Sequence, residues 1–310
     1  LAGIRMIFSA FGRALAATVA LFLLCGPARA VDPLPANAKA TPDPAVRTGT
    51  LANGLRYAIM RNGSPSGAVS IRLGNRAGSY DEEEEAEGGF AHFVEHMAFR
   101  STRQAPEGSL DTRFASLGIA FGRDENAVTG LEETIYQMDL PVAEPAAVAK
   151  VLEWLRGAAD GILFTPAAVE LEKGVVVAEI RARTSPATLV GREVARFQAP
   201  GLRSFARDVG GTEASVRAAT PAALQAFYDR WYRPENAVLV IVGDAETDAM
   251  LKAAESAFGN WTGRGAPGAR AKPAALAERG LDAFTRSGPS LPLAGSACRL
   301  APLDGPAGFS

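Results

Sequence analysis

Polar and apolar positions change period several times along this chain, and each change marks a predicted element. Thr48 to Leu51 and Leu55 to Met60 read as strands flanking Asn53-Gly54, the signature of a two-residue hairpin turn. Ala68 to Leu73 alternates apolar and polar residues and predicts a third strand. Asn126 to Thr129 and Thr134 to Leu140 read as a further pair. Ala237 to Val242 is a continuous apolar run stopped by Gly243-Asp244, which predicts a buried strand.

Helical spacing takes over between these runs. Pro106 to Leu117 places Leu110, Phe114 and Leu117 on one face before Gly118. Pro145 to Ala159 does the same with Val148, Val151, Leu152 and Leu155, and its Trp154 reads as packing. Thr165-Pro166 is a cap followed by proline at the first helical position, opening a helix through Ile180. Within it Glu172, Val176 and Glu179 share a face. Two acids aligned with a core-facing stripe need a cation or hydrogen bonds. Pro221 to Trp231 and Thr247 to Phe258 are the last clear helices, and 189–217 is less regular. Beyond Gly263, residues 264–310 are rich in Pro, Gly and Ala; apart from a short helix over Ala274 to Leu281, they read as linker or disordered tail.

One helical stretch carries chemistry, Gly88-Gly89-Phe90-Ala91-His92-Phe93-Val94-Glu95-His96-Met97. On a helix His92, Glu95 and His96 fall at i, i+3 and i+4, one turn apart on one face. Two imidazoles so placed can grip one zinc ion, and a carboxylate between them can reach water on it. The order H-x-x-E-H is the inverse of the commoner zinc-peptidase motif. From the pentapeptide alone the alternative stays open: a chance pair, one histidine packed and one solvated. These are the chain's two histidines. The acidic run Asp81 to Glu87 just before the helix reads as a solvated loop whose charges favour the helix N-terminus.

Composition narrows the setting. The chain has 310 residues, 47% of them apolar and 21% charged, ordinary for a globular protein with a sizeable core. A net charge of −2 and the lack of a basic stripe argue against nucleic acid. Residues 1–30 combine Arg5 and Arg13, an apolar run from Ala14 to Cys25, and the small-x-small site Ala28-Arg29-Ala30. They read as a secretory signal peptide cleaved after Ala30, with a membrane anchor as the alternative. Cleavage removes three arginines and no acids, takes the net charge from −2 to about −5, and leaves no stable membrane anchor. A periplasmic or secreted protein follows. Residues 31–47, without periodicity, read as an extended leader. Cys298 is then the remaining thiol, so no internal disulfide is expected.

In several ordered blocks the chain resembles the insulinase-like (pitrilysin, M16) zinc metallopeptidases, specifically their N-terminal catalytic domain, over 48–263. The blocks are Gly89 to Phe99, Pro106-Glu107-Gly108, Leu117-Gly118, Asn126-Ala127-Val128-Thr129, Glu133 to Tyr136, the Glu172 to Glu179 helix, and Trp231 to Asn236 with Val238 to Asp244. The resemblance implies zinc ligands at His92, His96 and Glu179, one Zn2+ per chain. It implies a general base at Glu95, a carboxylate orienting the site at Glu172, and a peptide-binding edge at Asn126 and Ala127. The implied function is a zinc-dependent endopeptidase acting on peptides or unfolded segments. Family members usually have a second, similar domain, in the same chain or in a partner, and the sequence as given reads as not including one. A truncated chain, or a non-autonomous subunit of a two-chain complex, is therefore the alternative. The expected fold is α+β, a largely antiparallel sheet with helices packed on one face. The motif helix and the Glu172 helix would lie side by side over that sheet.

Overall fold

The computed structural model describes residues 41, 43–83, 85–120, 122–198, 208–270, 282–286 and 295–299. The expected signal peptide, most of the leader and the end of the tail lie outside the described residues. Every described strand and helix belongs to the compact unit Pro44–Ser310.

Six strands form one open sheet: β1 (Val46–Thr50), β2 (Arg56–Arg61), β3 (Val69–Asn75), β4 (Glu125–Thr129), β5 (Thr134–Leu140) and β6 (Ala237–Gly243). Their order is β1-β2-β6-β3-β5-β4. Four of the five pairings are antiparallel, and β2 with β6 is parallel. Eight helices accompany them among the described residues: α1 (Phe90–Ala98), α2 (Leu110–Ala115), α3 (Pro145–Asp160), α4 (Pro166–Arg183), α5 (Pro186–Gln198), α6 (Glu213–Ala218), α7 (Pro221–Trp231) and α8 (Thr247–Phe258). The expected α+β architecture is the one found.

Strand alternation sorts the sheet into two faces. Register sets Leu73 beside both Tyr136 and Leu239, and Ile59 and Ile71 beside Ile241. All of these are buried, and they meet the helices in one core. The opposite face carries Arg72, Ile135, Gln137, Val238 and Val240, all half-buried. The apolar run at β6 is thus buried on one side only, a correction to the buried strand expected. Its outward valines suit a pleated, half-covered surface as well as a core.

Proline at the first turn and a threonine cap start α4 and α7. Thr165 Oγ1 accepts from Ala168 N at 3.2 Å and Thr220 Oγ1 from Ala223 N at 3.2 Å. Trp154 is buried against Phe99, Phe114 and Tyr136, the packing role expected of it.

Other boundaries differ. The β1–β2 turn is longer than two residues: Leu51 N donates to Leu55 O at 2.8 Å, and Gly54 sits at φ 95°. The pattern placed less regular chain where α5 and α6 form. In the stretch read as linker, β7 (Asp282–Arg286) pairs antiparallel with β8 (Gly295–Arg299).

Candidate metal centre

The site is built where α1, α4 and the edge strand β4 meet on the covered face of the sheet. α1 is embedded along nearly its whole length, and its single half-exposed position is His96. Two features outside the helix hold it. Glu82, fully buried, turns one carboxylate oxygen onto its N-terminus, where Oε1 accepts from Gly89 N at 3.0 Å and from Ala91 N at 3.3 Å. The acidic run does favour the helix N-terminus as expected, but through Glu82 from the interior and not as a solvated loop; Asp81, also buried, accepts from Gly78 N instead.

The second feature is a backbone crossing. Gly89 enters the helix at φ 88°. A Cβ on Gly89 would lie 2.6 Å from Gly210 O, and one on Gly211 would lie 2.3 Å from Gly88 O. Two glycine pairs, far apart in sequence, therefore touch main chain to main chain behind the motif.

From this platform His92 and His96 project together, their rings 4.6 Å apart between centroids. Glu179 on α4 faces both. Its Oε2 lies 3.1 Å from His96 Nε2 and 3.7 Å from His92 Nε2. The three side chains offer donor atoms that all lie within 4.8 Å of one another, close enough to hold one metal ion. Glu179 Oε1 is ion-paired with Arg183, one turn further along α4. Glu172, buried one face-repeat earlier, places Oε1 2.8 Å from His96 Nδ1 and Oε2 2.6 Å from Arg100 Nε. The i, i+7 spacing of Glu172 and Glu179 thus puts both acids against the same imidazole.

Glu95 lies on α1 between the histidines. Thr129 Oγ1, from β4, donates to its Oε2 at 2.5 Å. A cavity of about 470 Å³ opens over these groups, and Asn126, Ala127, Val128 and Phe99 contribute to its lining. Asn126 and Ala127 sit on β4, the terminal strand of the sheet, so their backbone faces the cavity side with no further strand among the described residues.

Burial governs the proton affinities. Desolvation holds His92 well below the ordinary imidazole range, at about 4, with His96 pushing the same way and Glu179 opposing. His96 is equally desolvated, but its hydrogen bond to Glu172 and the charges of Glu172, Glu95 and Glu179 outweigh that, and its pKa is raised. Burial lifts the Glu95 carboxyl above its ordinary value, against the Thr129 hydrogen bond and the pull of His96.

All seven residues singled out in the sequence meet at this one cavity: His92, Glu95, His96, Asn126, Ala127, Glu172 and Glu179. Sequence reasoning missed Thr129, Arg100, Arg183, Glu82 and the Gly210-Gly211 turn. A signal existed for two of them. Thr129 ends the Asn126 block, and Arg183 follows Glu179 by one helical turn.

Comparison with known proteins places this geometry. Residues 57–195 match the family model described as Insulinase (Peptidase family M16), and 218–295 match Peptidase M16 inactive domain. The "Probable zinc protease PqqL" of Haemophilus influenzae is 35% identical over 210 residues, which is 68% of this chain and 23% of that protein. Its Escherichia coli namesake is 36% identical over 66% of this chain and 22% of its own length. The chain thus spans under a quarter of these relatives. The crystal structure of the first half of the periplasmic protease PqqL from Escherichia coli superposes with a TM-score of 0.72 and 32% identity, covering 78% of this chain and 51% of that one. Fold, motif helix and both family models agree, and the chain belongs to the insulinase family of peptidases, family M16.

Proposed function

We propose that this chain carries the catalytic site of a zinc-dependent endopeptidase, with His92, His96 and Glu179 as metal ligands and Glu95 as general base. The observation that carries this reading is the convergence of two imidazole nitrogens and one carboxylate oxygen. A tetrahedral zinc site with bonds of about 2.1 Å needs donors about 3.4 Å apart, and the Glu179 oxygen stands 3.1 and 3.7 Å from the two Nε2 atoms. A set of two histidines and a glutamate also leaves one position free, as hydrolytic zinc sites require. When bound, zinc would act as a Lewis acid toward the scissile carbonyl and acidify water beside it.

The protein's own groups supply the rest. Thr129 holds one oxygen of Glu95, so the other is the atom that takes a proton from water and delivers it to the leaving amine nitrogen. The raised Glu95 pKa suits a group that must both accept and return that proton. Glu172 accepts from His96 Nδ1 and orients the ring. A peptide or unfolded segment would lie extended along β4 at Asn126 and Ala127, adding as a strand and bound mainly through its backbone.

All these residues fall within 57–195, the stretch matched by the insulinase model, and none within the stretch matched by the inactive-domain model. A second reading, a non-autonomous subunit, is favoured by one observation: residues 218–295 match the family model described as Peptidase M16 inactive domain. On that reading 48–263 forms the site-bearing lobe, 264–310 leads toward a second M16-like domain or partner, and residues 1–30 export the chain to the periplasm.

Metal analysis with a peptide-cleavage assay separates the readings. Purified protein should hold one zinc per chain. Glu95→Gln should keep that zinc and lose about 10²–10⁴-fold in turnover. Cleavage only after a second M16-like half is added supports the subunit reading. Absence of stoichiometric zinc, or Glu95→Gln cleaving as fast as wild type, would sink the endopeptidase assignment.

A further inference from the structure

Arg100 lies one turn beyond His96, at the end of the motif segment, and its guanidinium is directed back into the site. Its Nε is 2.6 Å from Glu172 Oε2, and its NH1 is 3.5 Å from Glu107 Oε1. The Glu172 side chain is 7% exposed and that of Arg100 25%. A carboxylate so deep in the protein needs a charge partner, and Arg100 is the permanent cation beside it. Glu172 has two oxygens, one taken by Arg100 and the other facing His96 Nδ1 at 2.8 Å. Carboxylates face both ring nitrogens, but only the contact with Glu172 has hydrogen-bond geometry, and a carboxylate can only accept, so this contact assigns the proton of a neutral His96 to Nδ1. The lone pair then stands on Nε2, the atom 3.1 Å from Glu179 Oε2.

We propose that Arg100 is a positioning residue for the metal centre: by pinning one oxygen of Glu172, it fixes the other on His96 Nδ1 and so presents Nε2 as a bare donor. The chain of contacts runs Glu107, Arg100, Glu172, His96. It explains why Pro106-Glu107-Gly108, remote from the chemistry, should matter to it. Glu107, half-exposed, steadies the outer end of the guanidinium. Without Arg100 the Glu172 carboxylate loses the cation that holds it in place. It can then rotate away from Nδ1, which frees the proton of a neutral His96 to move to Nε2, where a metal must bind. This role deepens the zinc reading and rests on it.

The test uses the full chain, metal-free and then titrated with zinc. Because the chain has two histidines, the ring nitrogen–proton correlation spectrum is simple to assign. At a pH that keeps both rings neutral, wild type should show His96 in the Nδ1–H tautomer. Arg100→Met should shift His96 toward the Nε2–H tautomer. It should also weaken zinc, measured by chelator competition, by about tenfold, the lower end of the loss typical when a group orienting a metal ligand is removed. Arg100→Lys, which keeps the charge, should recover most of the affinity. A wild-type His96 found as Nε2–H overturns the role outright, whether or not Arg100→Met folds. So does an Arg100→Met protein with wild-type tautomer and wild-type zinc affinity. If wild type binds no zinc but shows the Nδ1–H tautomer that Arg100→Met loses, the zinc reading fails while the Arg100 contact chain stands.

Discussion

The two helices that face each other across the site are held by opposite means. α1 is short and embedded, with eight of its nine residues buried. α4 has eighteen residues and buries five of them, leaving Leu171 57% and Val175 48% exposed. On α1 the positions of His92, Glu95 and His96 follow from packing, because a helix enclosed on every side has nowhere to move. On α4 packing fixes only one stripe. The acids there are set by ion pairs instead, Glu172 by Arg100 and Glu179 by Arg183. Geometry that must be exact to a few tenths of an ångström is thus shared between a rigid half and a latched half. Damage to the first should appear as lost stability, and damage to the second as lost metal affinity with the fold intact.

The sharpest way to break the rigid half is at the backbone crossing. In Gly211→Ala the new methyl would lie 2.3 Å from Gly88 O and 2.8 Å from Gly89 Cα, main-chain atoms that cannot swing aside. Residue 211 also sits at φ 72°, a conformation that costs an L-residue about 1–2 kcal/mol. With overpacking of about 1–3 kcal/mol added, denaturant unfolding should report a loss of roughly 2–5 kcal/mol. A variant as stable as wild type would show that the two glycine turns do not touch.

How far this division was legible in the chain depends on range. His92, Glu95 and His96 could be read together because helical spacing is a local property. So could Glu172 and Glu179, seven apart on one face, whereas Asn126 and Ala127 entered the site only through the family resemblance. The supports were not legible, because each depends on chain brought back from far away. Gly210-Gly211 looks like an ordinary turn until Gly88-Gly89 arrives beside it. Glu82 belongs to an acidic run whose composition argues for solvent, and only the fold buries it under α1. α5 was missed for a different reason: its apolar residues do keep helical spacing, but the excess of Gly and Arg over 189–217 reads as irregular chain. The fold class survived these misses, since the alternation of β3 and β5, the apolar run of β6 and the proline-led starts of α3, α4 and α7 carry it.

Glu82→Ala should cost less than the glycine substitution. It leaves two main-chain N–H groups, of Gly89 and Ala91, facing the hole where Oε1 stood. A hydrogen bond to a charged group is worth about 1.5–3 kcal/mol, and here two donors share one oxygen, so a loss of roughly 2 kcal/mol is expected. Glu82→Gln, which keeps an oxygen acceptor without the charge, should fall between. Equal stabilities of all three proteins in thermal unfolding would refute the carboxylate's role as the support of α1.

The smallest effect belongs to the latched half. Leu171 and Glu172 are neighbours on α4, yet the first is 57% exposed while the second is buried against His96 and Arg100. Leu171→Ala removes apolar surface that is already mostly in water and swaps in the best helix former, so stability should change by no more than about 0.5 kcal/mol. Zinc affinity should not move either, because no contact that fixes Glu172 or Glu179 passes through residue 171. If Leu171→Ala instead loosened zinc as Arg100→Met is expected to, the acids of α4 would be held by the packing of the whole helix, and the contrast with α1 would dissolve.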